Sequence, residues 1–156
     1  MNRYKLTIEF EGSDYHGWQM QDDVPNIQAE LEKAAFKLCQ TKCRFHAAGR
    51  TDAGVHAKGM VTHVDIPRDI EAFKVMDALN FHLNGLPISV IMSEKVDDEF
   101  HARFSAKKRY YRYHIVNRRA KLSLQRGLAW QVKVNLDVDA MHDAAQVLVG
   151  THDFTT

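Results

Sequence analysis

The sequence predicts an α+β chain. Three observations carry this: stretches with apolar residues at every second position, stretches with apolar residues at helical spacing, and loops marked by Gly, Pro and Asp between them. With 156 residues the chain is long enough for one ordinary domain or two small subdomains around a shared sheet.

Tyr4, Leu6, Ile8 and Phe10 alternate with Lys5, Thr7 and Glu9, which predicts a half-buried first strand. Residues 11–25 hold glycines, aspartates and a proline and predict a loop. Asn26 is placed to cap a helix reaching about Gln40, with Ile27, Leu31, Ala34, Ala35 and Leu38 on one face. Residues 44–48 and 60–66 read as strands, the second stopped by Pro67. Residues 70–83 read as a helix with Phe73, Met76, Ala78 and Leu79 apolar, and residues 86–91 as the start of a strand. Residues 107–115 interleave aromatic and basic residues, with Tyr111, Tyr113 and Ile115 on one face of an expected strand and Tyr110, Arg112 and His114 on the other. A basic loop to Arg126, a strand over 128–134 with Trp130, and a helix starting at Asp137 or Asp139 and closed by Gly150 complete the chain.

Composition narrows the function classes. The chain is 45% hydrophobic and 26% charged, which suits a globular fold rather than a disordered one. Its apolar runs are short, so no membrane-spanning helix is expected, and the N-terminus lacks the apolar block of a signal peptide. Cys39 and Cys43 make no disulfide framework and lack two further ligands for a metal site, so both read as ordinary thiols of a cytoplasmic protein. The nine histidines follow no zinc-binding pattern. Net charge is only +1, yet Arg103 to Arg126 carries nine Lys/Arg and no Asp/Glu, leaving 12 basic against 20 acidic residues elsewhere. Such an asymmetry suits a surface facing a polyanion, and equally a solvated basic hairpin.

The stretch most loaded with chemistry is Gly49-Arg50-Thr51-Asp52-Ala53-Gly54-Val55-His56-Ala57. Two glycines bracket an Arg, a Thr and an Asp between two strands, which predicts a tight loop holding one carboxylate beside one guanidinium. By spacing alone the ordinary reading is a turn whose Asp bonds its own backbone, with Arg50 solvated.

This string resembles the active-site signature of the tRNA pseudouridine synthase A family, in which the Asp is the catalytic residue. Three further strings resemble family elements in the same order. Phe10 to Gln19 contains Gly12-Ser13-Asp14-Tyr15-His16-Gly17-Trp18-Gln19, with Glu11 and Ser13 in place of the common Asp and Thr. Residues 100–115 carry Phe100-His101-Ala102-Arg103-Phe104-Ser105-Ala106 and then Arg109, Tyr111, Tyr113 and Ile115. Residues 150–154 begin a fourth element that runs to the end of the chain at Thr156.

The resemblance implies a pseudouridine synthase fold: a ferredoxin-like half over residues 1–104, carrying Asp52, and the beginning of a second α+β half over 105–156. The sheet would be mixed and largely antiparallel, with helices on one face and a cleft holding Asp52. The chain would be the N-terminal portion of a longer protein and poorly active by itself. The implied reaction isomerises uridine to pseudouridine in the anticodon arm of tRNA, at about positions 38 to 40, in a homodimer that uses no cofactor and no metal. Asp52 would open the sequence by adding to the base or assisting at the sugar. Arg50 would occupy the space vacated by the flipped nucleotide, and Tyr111 would stack on the target base. Arg103, Arg109 and Arg112 would grip phosphates.

Two other readings compete. A non-catalytic RNA-binding module would keep the basic segment but has no need of Asp52, which repels phosphate. A glycosidic hydrolase ordinarily needs two carboxylates, and these strings offer one. Clustered ligands for a metal-dependent nuclease are missing near Asp52.

Overall fold

The computed structural model describes residues 1–154; Thr155 and Thr156, the ends of the last string and of the 105–156 segment, lie outside the described residues. The chain divides into two units, Met1–Tyr110 and the residues from Tyr111 on.

The first unit is built on β1 (Asn2–Phe10), α1 (Ile27–Cys39), β2 (Phe45–Ala47), β3 (Ala57–Ile66), α2 (Ala72–Leu83) and β4 (Ile88–Val96). The strands form one sheet in the order β2-β3-β1-β4, antiparallel at every pair. Two β-α-β units are thus interleaved, and β1 and β3 lie in the middle. The alternation in β1 does what its period requires: Tyr4, Leu6, Ile8 and Phe10 are buried in the core. They share that core with Val64 and Ile66 of β3, Ile88 and Val90 of β4, and the buried faces of both helices. The Tyr4 hydroxyl is fully buried and fully used, donating to Ile70 O at 2.6 Å and accepting from Ile70 N at 2.9 Å.

Helix α1 starts where Asn26 predicts. Its Oδ1 accepts from Ala29 N at 2.9 Å, and the next free amides, Ile27 N and Gln28 N, donate to Gly17 O and Trp18 O. The 11–18 loop is therefore part of the helix cap. Asn26→Ala should cost about 1 kcal/mol in urea unfolding; an unchanged midpoint would show that the loop carbonyls suffice.

Several boundaries differ from expectation. β3 begins at Ala57 rather than Met60, because Ala57 pairs with Phe10. β4 starts at Ile88 and runs to Val96, since Arg3, Lys5 and Thr7 supply partners all along it, so Glu94 sits within a strand and pairs with Lys5 at 2.7 Å. Phe73 faces solvent, and the buried residues of α2 are Val75, Leu79 and Leu83. Cys39 and Cys43 are free, buried thiols with Sγ atoms 3.5 Å apart.

On the sheet face away from the helices lies a polar layer. Arg3 makes a bidentate pair with Asp65, at 2.7 and 2.8 Å, and also donates to Phe100 O at 3.0 Å and to Asp98 O. His63, opposite His46 in the β2–β3 register, is buried; its Nδ1 accepts from Ala102 N at 3.1 Å, and its ring stacks on His46 and meets His101 edge-on. These contacts hold the segment after β4 across the sheet.

Burial, then the nearby His46, Arg3 and His101, push the His63 imidazole down to about 4. Burial likewise lowers His46, and the hydrogen bond from Arg3 lowers Asp65. A folded pKa below the unfolded one means the unfolded chain binds more protons between the two values. Stability should therefore fall as pH drops from about 6.5 to about 4, by on the order of 3 kcal/mol from His63. His63→Asn, which keeps an acceptor for Ala102 N but does not titrate, should be less stable at pH 8 and show a shallower acid slope. An unchanged slope in urea unfolding between pH 4 and 7 would contradict this origin.

The second unit contains β5 (Ile115–Asn117), β6 (Trp130–Val132), α3 (Val138–Ala145) and a 3-10 turn, Gln146–Leu148. β5 and β6 pair in parallel. Asp137 caps α3, its Oδ1 accepting from Ala140 N at 2.9 Å. The strand expected through residues 107–115 forms only from Ile115. Tyr110, Tyr111 and Tyr113 are exposed. Aromatic strand preference is a preference for packing against neighbouring strands, and no described strand lies beside them. The strand over 128–134 shortens to Trp130–Val132 for the same reason. No described helix is long and apolar enough to cross a membrane.

Candidate active site

The Asp52 loop spans the gap between β2 and β3 and is held backbone to backbone by the 11–18 loop. Trp18 N donates to Thr51 O at 3.0 Å, and Gly54 N donates to Tyr15 O at 3.1 Å. Gly12 N donates to His56 Nδ1 at 3.0 Å, and Glu11 lies 3.3 Å from the same nitrogen. Within the loop, Val55 N returns to Asp52 O at 3.2 Å, closing a turn that passes through Gly54 at φ +77°.

The two loops approach so closely that side chains would not fit between them. A Cβ on Gly12 would lie 2.1 Å from Val55 O, and one on Gly17, where φ is +85°, would lie 2.3 Å from Thr51 O. Tyr15, between those glycines, and Trp18, just after the second, are buried in the core rather than offered for stacking, and burial raises the Tyr15 phenol above its ordinary pKa. Thr51 Oγ1 is buried and finds no hydrogen-bond partner among the described residues.

This scaffold leaves Asp52 and Arg50 exposed on a backbone fixed at both ends of the turn. A carboxylate held on a fixed backbone is positioned before a substrate arrives, and Arg50 adds a positive charge two residues earlier in the chain.

The remaining residues singled out by sequence are distributed unevenly. Arg109 comes to the base of this loop, donating from Nε to Ala48 O at 3.1 Å and from Nη2 to the same oxygen. Arg103 is exposed in the segment after β4, its guanidinium 5.8 Å from the Phe104 ring centroid. Tyr111 and Arg112 are exposed in the second unit. Arg50 and Asp52 thus share one loop, and the Arg109 side chain reaches its base. Gly12 and Gly17 were not among the expected site residues, although their spacing around the aromatics was the visible signal. His46 stacks on His63 while His101 meets His63 edge-on and His46 at a tilt, and no three His, Cys, Asp or Glu among the described residues could hold a metal ion.

Comparison with known proteins agrees over the whole chain, although no family model matches. All 156 residues align at 57% identity with the tRNA pseudouridine synthase A of Rhodopseudomonas palustris strain HaA2, covering 64% of that protein. The enzymes of the same name from Paramagnetospirillum magneticum and Maricaulis maris align over all 156 residues at 54% and 51%, with 61% and 63% of their lengths covered. The chain therefore spans less than two thirds of the length of these relatives. The likeness to enzymes named tRNA pseudouridine synthase A runs along every residue of the chain, through both loops that build the Asp52 site.

Proposed function

We propose that the protein isomerises uridine to pseudouridine in the anticodon arm of tRNA, at about positions 38 to 40, with Asp52 as the catalytic carboxylate. The observation that carries this is the exposed Asp52 and Arg50 on a loop locked by backbone hydrogen bonds, in a chain 57% identical to a tRNA pseudouridine synthase A. The interleaved order β2-β3-β1-β4 supports reading the first unit as the ferredoxin-like half of a pseudouridine synthase fold.

The reaction breaks the bond from C1′ to N1 and rejoins the same base through C5. Nothing is oxidised or reduced overall, so no redox cofactor or nucleotide is consumed. The carboxylate adds to the base or assists at the sugar, and the hydrogen on C5 leaves to solvent as a proton after the new bond forms while N1, freed from C1′, takes one up. The target must first leave its stack, at a cost of a few kcal/mol. Arg50, beside Asp52, fills the vacated space. Tyr111 stacks on the base, and Arg103 and Arg112 contact phosphates. The reading places the enzyme in the cytoplasm as a homodimer.

Position-resolved mapping of an unmodified tRNA transcript after incubation with the full-length gene product tests this. Pseudouridine should appear at positions 38 to 40 and vanish when those uridines are replaced by cytidines. Modification confined to another arm would overturn the substrate assignment. Binding should weaken steeply with added salt, as phosphate contacts require.

A further inference from the structure

We propose that Arg109 is a positioning residue that fixes the base of the Asp52 loop, rather than one that grips phosphate; the inference rests on the function proposed above. Ala48 is where the chain leaves the sheet: its N–H still donates to Val61 O at 2.8 Å, and the loop begins at the next residue. Its carbonyl receives two N–H groups of the Arg109 guanidinium, from Nε at 3.1 Å and from Nη2. Two donors of one rigid planar group on one oxygen set both the position and the direction of that carbonyl.

Gly49 leaves room for the contact. A Cβ there would lie 3.2 Å from Arg109 Nε and 3.6 Å from its Cδ, so the side chain rests against bare backbone. Arg109 is itself delivered by an anchored segment. Arg3 donates to Phe100 O at 3.0 Å and to Asp98 O, and Ala102 N donates to His63 Nδ1 at 3.1 Å. Sheet, segment and loop therefore form a closed circuit. The 11–18 loop holds the turn around Asp52 from one side, and Arg109 holds the strand exit that feeds it.

The two roles of Arg109 separate by experiment. A phosphate contact predicts weaker tRNA binding and a shallower salt dependence, with the loop undisturbed. A positioning role predicts the reverse. In Arg109→Ala, kcat should fall about 10²-fold, the cost of a small misplacement of the reacting group, with KM and the salt slope of tRNA binding unchanged. Free guanidinium should restore part of kcat. Arg109→Lys keeps the charge but not the planar fork, so kcat should again fall with binding intact. Amide exchange at Gly54 and Val55, whose N–H groups bond Tyr15 O and Asp52 O, should accelerate in both variants while β1 and β3 stay protected.

Lost affinity with unchanged loop exchange would overturn the inference in favour of a phosphate contact. Exchange accelerated throughout the sheet would overturn it in favour of a general structural role. Exchange needs no turnover, so a wild-type protein that makes no pseudouridine would defeat the proposed function and still leave the loop contact measured.

Discussion

Gly17→Ala is expected to destabilise the first unit by about 2–5 kcal/mol and to remove most activity. Two costs add. The residue sits at φ +85°, a left-handed conformation that costs a side-chain-bearing residue roughly 1–2 kcal/mol. The new methyl would also lie 2.3 Å from Thr51 O, 3.1 Å from the Asp52 carbonyl carbon and 3.3 Å from Ala53 N. All three are backbone atoms of the Asp52 loop, so relief requires the loop itself to move, and overpacking of this kind costs about 1–3 kcal/mol. Gly54→Ala is the matched control. It shares the positive φ, +77°, but a methyl there meets nothing within 4 Å, so only the conformational cost should appear. Urea unfolding of the two variants separates the terms. Equal losses would show that the close approach of the loops carries no energetic weight.

Asp52→Asn should abolish pseudouridine formation, by at least about 10³-fold, while leaving the fold and tRNA binding intact. The substitution is isosteric and the side chain is exposed, so stability should stay within about 0.5 kcal/mol of the parent. An amide cannot supply the carboxylate that opens the reaction. Removing a negative charge that faces phosphate should, if anything, tighten binding. A variant that binds less tightly in proportion to its lost turnover would mark Asp52 as a binding group instead.

Much of the first unit is legible in the sequence because its signals are local. The alternation of β1, the Asn26 cap and the stop at Pro67 depend on neighbours within a turn or two of chain. The Asp52 loop is legible as a loop for the same reason, and its chemistry through the resemblance carried by residues 49–57. What sequence did not show depends on distant partners. β4 extends to Val96 because β1 lies alongside, and the tyrosines of 107–115 form no strand because no described strand does. Phe73 obeys the helical spacing yet faces solvent, since apolar periodicity names a stripe and packing selects its width. Arg109 read as part of a family string and as a cation gripping phosphate; its engagement with Ala48, 61 residues away, is a tertiary fact. Gly12 and Gly17 looked like ordinary loop glycines until the second loop was found against them.

The most direct test follows the hydrogen that the reaction must release. A tRNA transcript tritiated at C5 of uridine is incubated at saturating protein with the full-length gene product as parent and with its Asp52→Asn variant, and RNA retention is measured on the same samples. The account predicts tritium release by the parent, none by the variant, and equal retention by both. Equal retention with no release by either would make the protein an RNA-binding module, and release by the variant at the parent's rate would remove Asp52 from the chemistry.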